Sequence, residues 1–105
     1  MLRSAAETLK PCGLELGGKS AVLVFADADL QQAARRGLSG AMSASGQGCV
    51  NGTRLYVERS IYEPYLKMLA GIAAHIRIGD PLDRTTIMGP IISEPALQRI
   101  VGAVE

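Results

Sequence analysis

The stretch Ala21-Val22-Leu23-Val24-Phe25 is an unbroken run of apolar residues, including β-branched ones. Such a run predicts a β-strand that is buried on both faces, as in a parallel sheet. Asp29, with Gln32 three residues later, resembles a capping box and predicts that a helix begins there. Small and apolar residues then repeat at helical spacing from Leu30 to Ser45. The pattern therefore indicates a helix that continues to the glycines beyond Ser45.

A second strand is predicted at Thr53–Glu58, where apolar and polar residues alternate and Leu55 and Val57 share one face. A helix between two strands of this length implies that the strands are parallel. Two strands make a poor sheet alone, and the apolar Ala21–Phe25 strand needs neighbours and helices on both faces. The predicted fold class is α/β, as part of a larger open parallel-sheet domain.

Three more helices are expected. The first spans about Leu2 to Leu9. The second begins at Ser60, which resembles a capping box together with Glu63, and it stops at Gly79-Asp80-Pro81. A stretch rich in turn residues, DPLDRTTIMGP, follows as a loop. The last helix begins at Ser93, with its apolar side chains inward: Leu97, Ile100, Val101 and Val104. The predicted order is helix-strand-helix-strand-helix-loop-helix.

Composition excludes several classes of function. The chain is 48% hydrophobic with a net charge of +1, it has no basic run, and aromatic residues are scarce, so we expect no nucleic-acid partner. The longest apolar run is too short to span a bilayer, and the start lacks the apolar core of a signal peptide, so we expect no membrane partner and a cytoplasmic location. Two cysteines and one histidine do not form a usual zinc set, although a Cys12–Cys49 disulfide is possible.

Two short motifs contain residues that could carry chemistry. Glu15 lies in Leu14–Ser20 (LELGGKS), just before the first strand, and Cys49 lies after the following helix. Taken singly, Glu15 fits a solvated loop carboxylate and Cys49 a structural cysteine. A strand and a returning helix, however, bring the start of the strand and the end of the helix to one edge of the sheet. That placement suits a cysteine nucleophile with a glutamate base.

These motifs resemble the two active-site signatures of the aldehyde dehydrogenase superfamily. The resemblance rests on LELGGKS at Leu14–Ser20, on GQGC at Gly46–Cys49, and on the 34 positions between Glu15 and Cys49. A later stretch, GDPLDRTTIMGPIIS at Gly79–Ser93, is similar to a loop of the same family. The resemblance covers essentially all 105 residues.

The resemblance implies an NAD(P)-dependent oxidation of an aldehyde to a carboxylic acid. Cys49 would attack the aldehyde carbon, and its backbone amide would donate to the oxyanion. Hydride would pass to NAD+ or NADP+, leaving a thioester that water, activated by Glu15, would hydrolyse. The backbone at Leu16 and Gly17 would lie beside the nicotinamide. The small-molecule partner is an aldehyde, and the open edges of a short sheet favour a homo-oligomer.

The resemblance also implies that residues 1–105 form only part of a catalytic domain, without the Rossmann-type cofactor-binding domain. The isolated chain is then expected to be inactive despite its family. Two alternatives stay open: a non-catalytic remnant that folds by self-association, and a cofactor-independent thiol esterase that needs only Cys49 and Glu15.

Five other residues have simpler interpretations. Gly48 stands where the family usually has a side chain, so it is expected to loosen the loop that holds the cysteine. Asn51 is expected to support the loop after Cys49 by bonding to backbone. We expect Cys12 to be structural, His75 to be exposed and Lys19 to bond locally.

Overall fold

The computed structural model describes residues 1–104 as an α/β arrangement in the predicted order. The elements are α1 (Leu2–Ala6), β1 (Ser20–Val24), α2 (Leu30–Met42), β2 (Gly52–Val57), α3 (Tyr62–Ala73) and α4 (Glu94–Val104). A short turn follows α2 at Ser43–Gly46, and a 3-10 turn occurs at Arg59–Ile61. The fold is thus the α/β class that the alternation of strand and helix patterns predicts.

The two strands pair in parallel, and α2 makes the connection between them. Their inner face packs against α2 and α3 around a core of Val24, Ala34 and Tyr65. The prediction that β1 is buried on both faces is wrong for the part of the chain described, since Leu23 is 63% exposed and Phe25 60%. No described helix covers that outer face, so the side chains that alternate with the core residues meet solvent.

Helix α2 begins as predicted but ends early. The Asp29 carboxylate accepts a hydrogen bond from the Gln32 amide at 3.0 Å, which satisfies one of the free amides of the first turn. The helix ends at Met42, because Ala44, Ser45 and Gly46 all adopt positive φ, at 50°, 56° and 75°. The prediction that the helix continues through Ser45 is therefore wrong. This left-handed turn is unfavourable for a residue with a side chain, and the pattern of small residues gives no sign of it.

The capping box predicted for α3 is also wrong. The Ser60 hydroxyl donates to the Glu58 carboxylate at 2.8 Å, and the other Glu58 oxygen accepts from the Ala26 amide at 2.8 Å. These two bonds, the Ala26 amide first, hold the pKa of Glu58 below its usual value. Ser60 therefore caps no helix, and α3 begins two residues later without a side-chain cap.

The remaining helices depart from prediction at their ends or in their packing. Helix α1 stops at Ala6 rather than Leu9, because Leu9 turns left-handed with φ 52°. Helix α3 stops at Ala73, well before Gly79, and the chain beyond it forms an isolated β-bridge between Ile78 and Met88. The inward face predicted for α4 is wrong within residues 1–104, where its apolar side chains are exposed: Leu97, Ile100, Val101 and Val104.

The contact between α2 and α3 leads to a paired prediction about two glycines of α2. A Cβ on Gly37 would lie 2.9 Å from the Tyr65 hydroxyl and 3.2 Å from Leu55, whereas nothing lies within 4 Å of a Cβ on Gly40. We expect Gly37→Ala to lower the free energy of unfolding by about 1–3 kcal/mol through overpacking. Gly40→Ala should raise it by about 0.5–1 kcal/mol, because alanine favours the helix. Urea denaturation followed by circular dichroism measures both, and equal effects would contradict this packing.

Candidate active site

The segments that precede β1 and β2 meet in one cleft. Because the strands are parallel, their starts lie at the same edge, where Ser20 is paired with Gly52. A Cβ built on Gly18 would lie 3.4 Å from the Cys49 carbonyl oxygen, so the two motifs are in contact. The cleft has a volume of about 1290 Å³ and is lined by Glu15, Leu16, Gly17, Gly18, Lys19, Gly46, Gln47, Gly48, Cys49, Thr53, Ile100 and Ala103. The structure therefore brings together all four residues singled out from the sequence: Glu15, Leu16, Gly17 and Cys49.

Cys49 lies at the corner of a tight turn. The Asn51 amide donates to the Gly48 carbonyl at 3.2 Å, which places Cys49 and Val50 at the two central positions. Cys49 is exposed, and neither it nor Cys12 is in a disulfide. The possible Cys12–Cys49 disulfide is thus not formed, and Cys12 is an exposed thiol rather than part of the core. Cys49 is therefore an exposed residue that lines the cleft.

Asn51 ties this turn to the end of α2. Its side-chain nitrogen donates to the carbonyls of Ala41 and Ser43, at 3.3 and 2.7 Å. Asn51 thus does bond to backbone, as expected, but to the segment before Cys49 rather than after it. The expectation that Gly48 loosens the loop stays a prediction. Gly48 does not adopt positive φ, and a Cβ there would meet the Asn51 side chain at 2.5 Å, so glycine leaves space for the anchor.

Two residues that sequence reasoning missed join the cysteine turn to a distant loop. The side-chain oxygen of Gln47 accepts a hydrogen bond from the Ile92 amide at 3.0 Å, and its side-chain nitrogen donates to the Ala44 carbonyl at 2.9 Å. The Ser45 hydroxyl donates to the Gly89 carbonyl at 3.0 Å. The sequence singled out Gln47 only as a member of the GQGC motif, and it assigned Ser45 to the helix. The hydrogen-bond partners of these two residues could not be predicted from local spacing.

The segment that contains Glu15 forms one side of the cleft and is held in place at Lys19. Arg54, which no pattern singled out, donates to the Lys19 carbonyl and lies over the Tyr56 ring, 5.8 Å from its centre. The Lys19 side chain bonds locally, to the Gly18 carbonyl at 3.3 Å. Glu15 and Leu16 are exposed, so the flanking leucines do not enclose the carboxylate within this chain. Nothing lies within 4 Å of a Cβ built on Gly17, so its backbone is open to the cleft.

Helix α4 forms a further wall of the cleft, through Ile100 and Ala103. The sequence pattern assigned Ile100 to a core contact and did not single out Ala103. An apolar helix face has the same spacing whether it contacts a core or a ligand cleft. Periodicity alone could not have distinguished these two roles.

The rest of residues 1–104 holds few other candidates. His75 is exposed, as expected, and its Nδ1 donates to the Gly71 carbonyl at 2.8 Å. Within the described part of the chain, no three histidine, cysteine or acidic side chains are grouped as metal ligands would be. No described helix combines the length and the apolar character needed to cross a membrane.

The chain belongs to the aldehyde dehydrogenase family, whose sequence model matches residues 1–105. A betaine aldehyde dehydrogenase from Cereibacter sphaeroides is 43% identical over 102 residues, which are 97% of this chain and 21% of that protein. A human 4-trimethylaminobutyraldehyde dehydrogenase is 38% identical over 105 residues, 100% of this chain and 21% of that protein.

Among solved structures, an NAD-dependent aldehyde dehydrogenase from Sinorhizobium meliloti has a TM-score of 0.92 at 40% identity, over 97% of this chain and 20% of that one. The chain thus spans about a fifth of the length of the relatives that it matches.

Proposed function

We propose that this chain carries the nucleophile and the general base of an NAD(P)-dependent aldehyde dehydrogenase. The observation that supports the proposal is the shared cleft, which is lined by Glu15 and Cys49 although they lie 34 positions apart. A nucleophile and a base must reach the same reacting carbon, which requires both of them to line one cleft. Membership of the family supplies the reaction class, the oxidation of an aldehyde to a carboxylic acid.

Cys49 has the accessibility that the first step needs. Its sulfur, as the thiolate, adds to the aldehyde carbon and forms a C–S bond, while the carbonyl electron pair moves to oxygen. The backbone N–H of Cys49 donates to that oxyanion, a role for which no protein acceptor competes among its described hydrogen bonds. The open corner position of Cys49 in its turn lets a small aldehyde approach the sulfur.

The exposed backbone at Leu16 and Gly17 fits a flat nicotinamide ring, because no atom lies within 4 Å of a Cβ built on Gly17. Leu16 and Gly17 would hold the ring there, and NAD+ or NADP+ would supply the hydride acceptor for the oxidation that leaves a thioester on Cys49. The absence of a side chain at Gly17 leaves the space between this backbone and the Cys49 turn clear.

Glu15 completes the reaction. Its carboxylate takes a proton from a water molecule that attacks the thioester carbon, the C–S bond breaks, and Cys49 leaves as the thiolate. The product is the carboxylic acid. Exposure of Glu15 to the cleft gives water access to its oxygen atoms.

We propose further that residues 1–105 are the nucleophile-bearing part of a catalytic domain, and that Rossmann-type cofactor binding requires chain beyond them. The support is that the relatives are about five times longer than the matched region. Residues 1–105 alone should then show no turnover. A non-catalytic remnant and a thiol esterase are the competing hypotheses. Hydrolysis of p-nitrophenyl acetate that requires Cys49 but no cofactor would favour the esterase.

The test is a chimera in which residues 1–105 replace the matching fifth of the Cereibacter sphaeroides enzyme. Formation of NADH or NADPH with betaine aldehyde, the substrate in that relative's name, is measured by absorbance beside residues 1–105 alone. Turnover by a folded chimera supports the proposal. A chimera that folds and binds NAD+ but does not oxidise betaine aldehyde or a panel of other aldehydes would contradict it.

We also propose that the chain self-associates. One face of the sheet is open at Leu23 and Phe25, and the apolar stripe of α4 is uncovered among residues 1–104. Burying such surfaces is favourable, so residues 1–105 should elute as a dimer or larger species. Size-exclusion chromatography with light scattering measures the mass, and a stable monomer would contradict the proposal. The two free thiols fit the proposed cytoplasmic location, which cell fractionation would test.

A further inference from the structure

Helix α4 is held to the other elements by few contacts. Its apolar side chains are exposed, and no described strand or helix packs extensively against it. Ile100 and Ala103 of this helix nevertheless line the cleft that contains Cys49. The position of this cleft wall relative to the cysteine therefore depends on the segment that leads into α4.

Gln47, two residues before Cys49, makes a contact to that segment. Its side-chain oxygen accepts a hydrogen bond from the Ile92 amide at 3.0 Å. Ile92 immediately precedes Ser93, whose carbonyl accepts two backbone amides of the first turn of α4. A single hydrogen bond thus joins the cysteine segment to the start of the helix that forms another wall of the same cleft.

The other end of the same carboxamide holds the left-handed turn after α2. The side-chain nitrogen of Gln47 donates to the Ala44 carbonyl at 2.9 Å, and the Gln47 backbone amide donates to the same carbonyl at 3.1 Å. Ala44 and Ser45 have φ of 50° and 56°, a conformation that persists only where the surrounding structure enforces it. The Ser45 hydroxyl adds a second link, to the Gly89 carbonyl at 3.0 Å. Gln47 therefore bonds to the turn that leads to the cysteine and also to the segment that leads to α4.

We propose that Gln47 is a positioning residue that joins Cys49 to the α4 wall of the cleft. Without its bond to Ile92, the cysteine segment and α4 move independently, and the distance between the sulfur and that wall is no longer fixed. The value of this connection for catalysis rests on the proposed function, whereas the connection itself does not. Near-attack geometry is sensitive to small displacements of the nucleophile, so a looser cysteine lowers the rate of the chemical step.

Three substitutions test the connection. Gln47→Met keeps the length of the side chain but makes neither hydrogen bond, whereas Gln47→Glu keeps an oxygen that accepts from the Ile92 amide. Gln31→Met is the matched control, because Gln31 is an exposed glutamine in the first turn of α2 that does not line the cleft. Circular dichroism should show the same helical content in all three variants.

Nuclear magnetic resonance of residues 1–105 measures the connection without turnover. Gln47→Met should speed hydrogen exchange of the Ile92 amide by about 2- to 10-fold, the usual effect of one lost hydrogen bond. The order parameter of the Cys49 amide should fall from about 0.85, the value of a rigid backbone, toward about 0.6. Gln47→Glu should retain the protection of Ile92, and Gln31→Met should change neither quantity.

The same substitutions in the Cereibacter sphaeroides chimera test the value of the connection for the reaction. Gln47→Met should lower the rate of the NADH burst with betaine aldehyde by about 10- to 100-fold, because a displaced nucleophile reaches the aldehyde carbon less often. The affinity for NAD+ should be unchanged, and Gln47→Glu should recover most of the burst rate. A general loss of stability would produce neither this recovery nor the difference between rate and affinity.

The proposal is overturned if Gln47→Met leaves either the Ile92 exchange rate or the Cys49 order parameter unchanged. It is also overturned if Gln47→Glu behaves like Gln47→Met, or if Gln47→Met retains the burst rate of Gln31→Met in an active chimera. Should Gln47→Met not fold, Ser45→Ala takes its place, because it removes the second link to residues 89–92 and should also lower the Cys49 order parameter. A chimera that binds NAD+ but oxidises no aldehyde would reject the proposed function, and the resonance measurements would still decide this inference.

Discussion

Replacement of Cys49 by alanine is expected to remove aldehyde oxidation from the chimera altogether. Loss of a covalent nucleophile in an active site costs on the order of 10⁴- to 10⁶-fold in kcat. In the proposed mechanism the sulfur forms the bond that holds the substrate carbon through both hydride loss and hydrolysis, and no other cysteine lines the cleft to replace it. The measurement is NADH formation with betaine aldehyde, together with NAD+ binding, which should be unchanged.

Cys12 provides the control for this substitution. It is also an exposed free thiol, but it lies outside the cleft. Cys12→Ala should therefore retain the unsubstituted rate. A chimera with Cys49→Ala that still turns over, or a chimera that loses activity equally with Cys12→Ala, would show that Cys49 is not the nucleophile.

Replacement of Glu15 by glutamine should affect the second half of the reaction far more than the first. The amide cannot accept a proton from water, so hydrolysis of the thioester should slow by about 10²- to 10⁴-fold. Attack by Cys49 and hydride loss do not use Glu15 in this mechanism. Rapid mixing should therefore show an initial burst of NADH close to one equivalent per cleft, followed by a steady rate that is strongly reduced.

Glu7→Gln is the matched control, because Glu7 is an exposed glutamate at the end of α1 that does not line the cleft. It should leave both the burst and the steady rate unchanged. Loss of the burst in Glu15→Gln would place Glu15 before hydride transfer and contradict its role as the base for hydrolysis. Mass spectrometry of the quenched protein should find the acyl group on the peptide that contains Cys49.

The sequence was sufficient for those parts of the fold that depend on local patterns. The apolar run in β1, the alternation in β2 and the Asp29 cap each identify an element through its own side chains. The ends of elements were less predictable. Helix α2 stops because Ala44 and Ser45 adopt left-handed conformations, which neither residue type favours. The backbone there is set by bonds to distant residues rather than by its own sequence.

The candidate site also contains residues that local patterns predict and residues that they do not. The two motifs singled out Glu15 and Cys49 as candidates. The residues that hold the cysteine turn do so by contacting residues that are distant along the chain. Gln47 and Ile92 are 45 positions apart, and no short pattern encodes such a pair. Gly48, considered alone, indicates only freedom of the backbone. In the fold its missing side chain makes room for a buried Asn51 that restricts the turn.

The long connection between the paired strands has a consequence for synthesis of the chain. The Thr53 hydroxyl bonds to the Ser20 carbonyl across 33 positions, so the edge of β1 that pairs with β2 stays open until β2 has been made. At 5–20 residues per second, that interval is roughly 2 to 7 seconds after β1 leaves the ribosome. An unpaired apolar strand is prone to aggregate during such a wait. Glu15 is therefore made early, just before this unpaired strand, and the cleft that it shares with Cys49 can form only when β2 has been made.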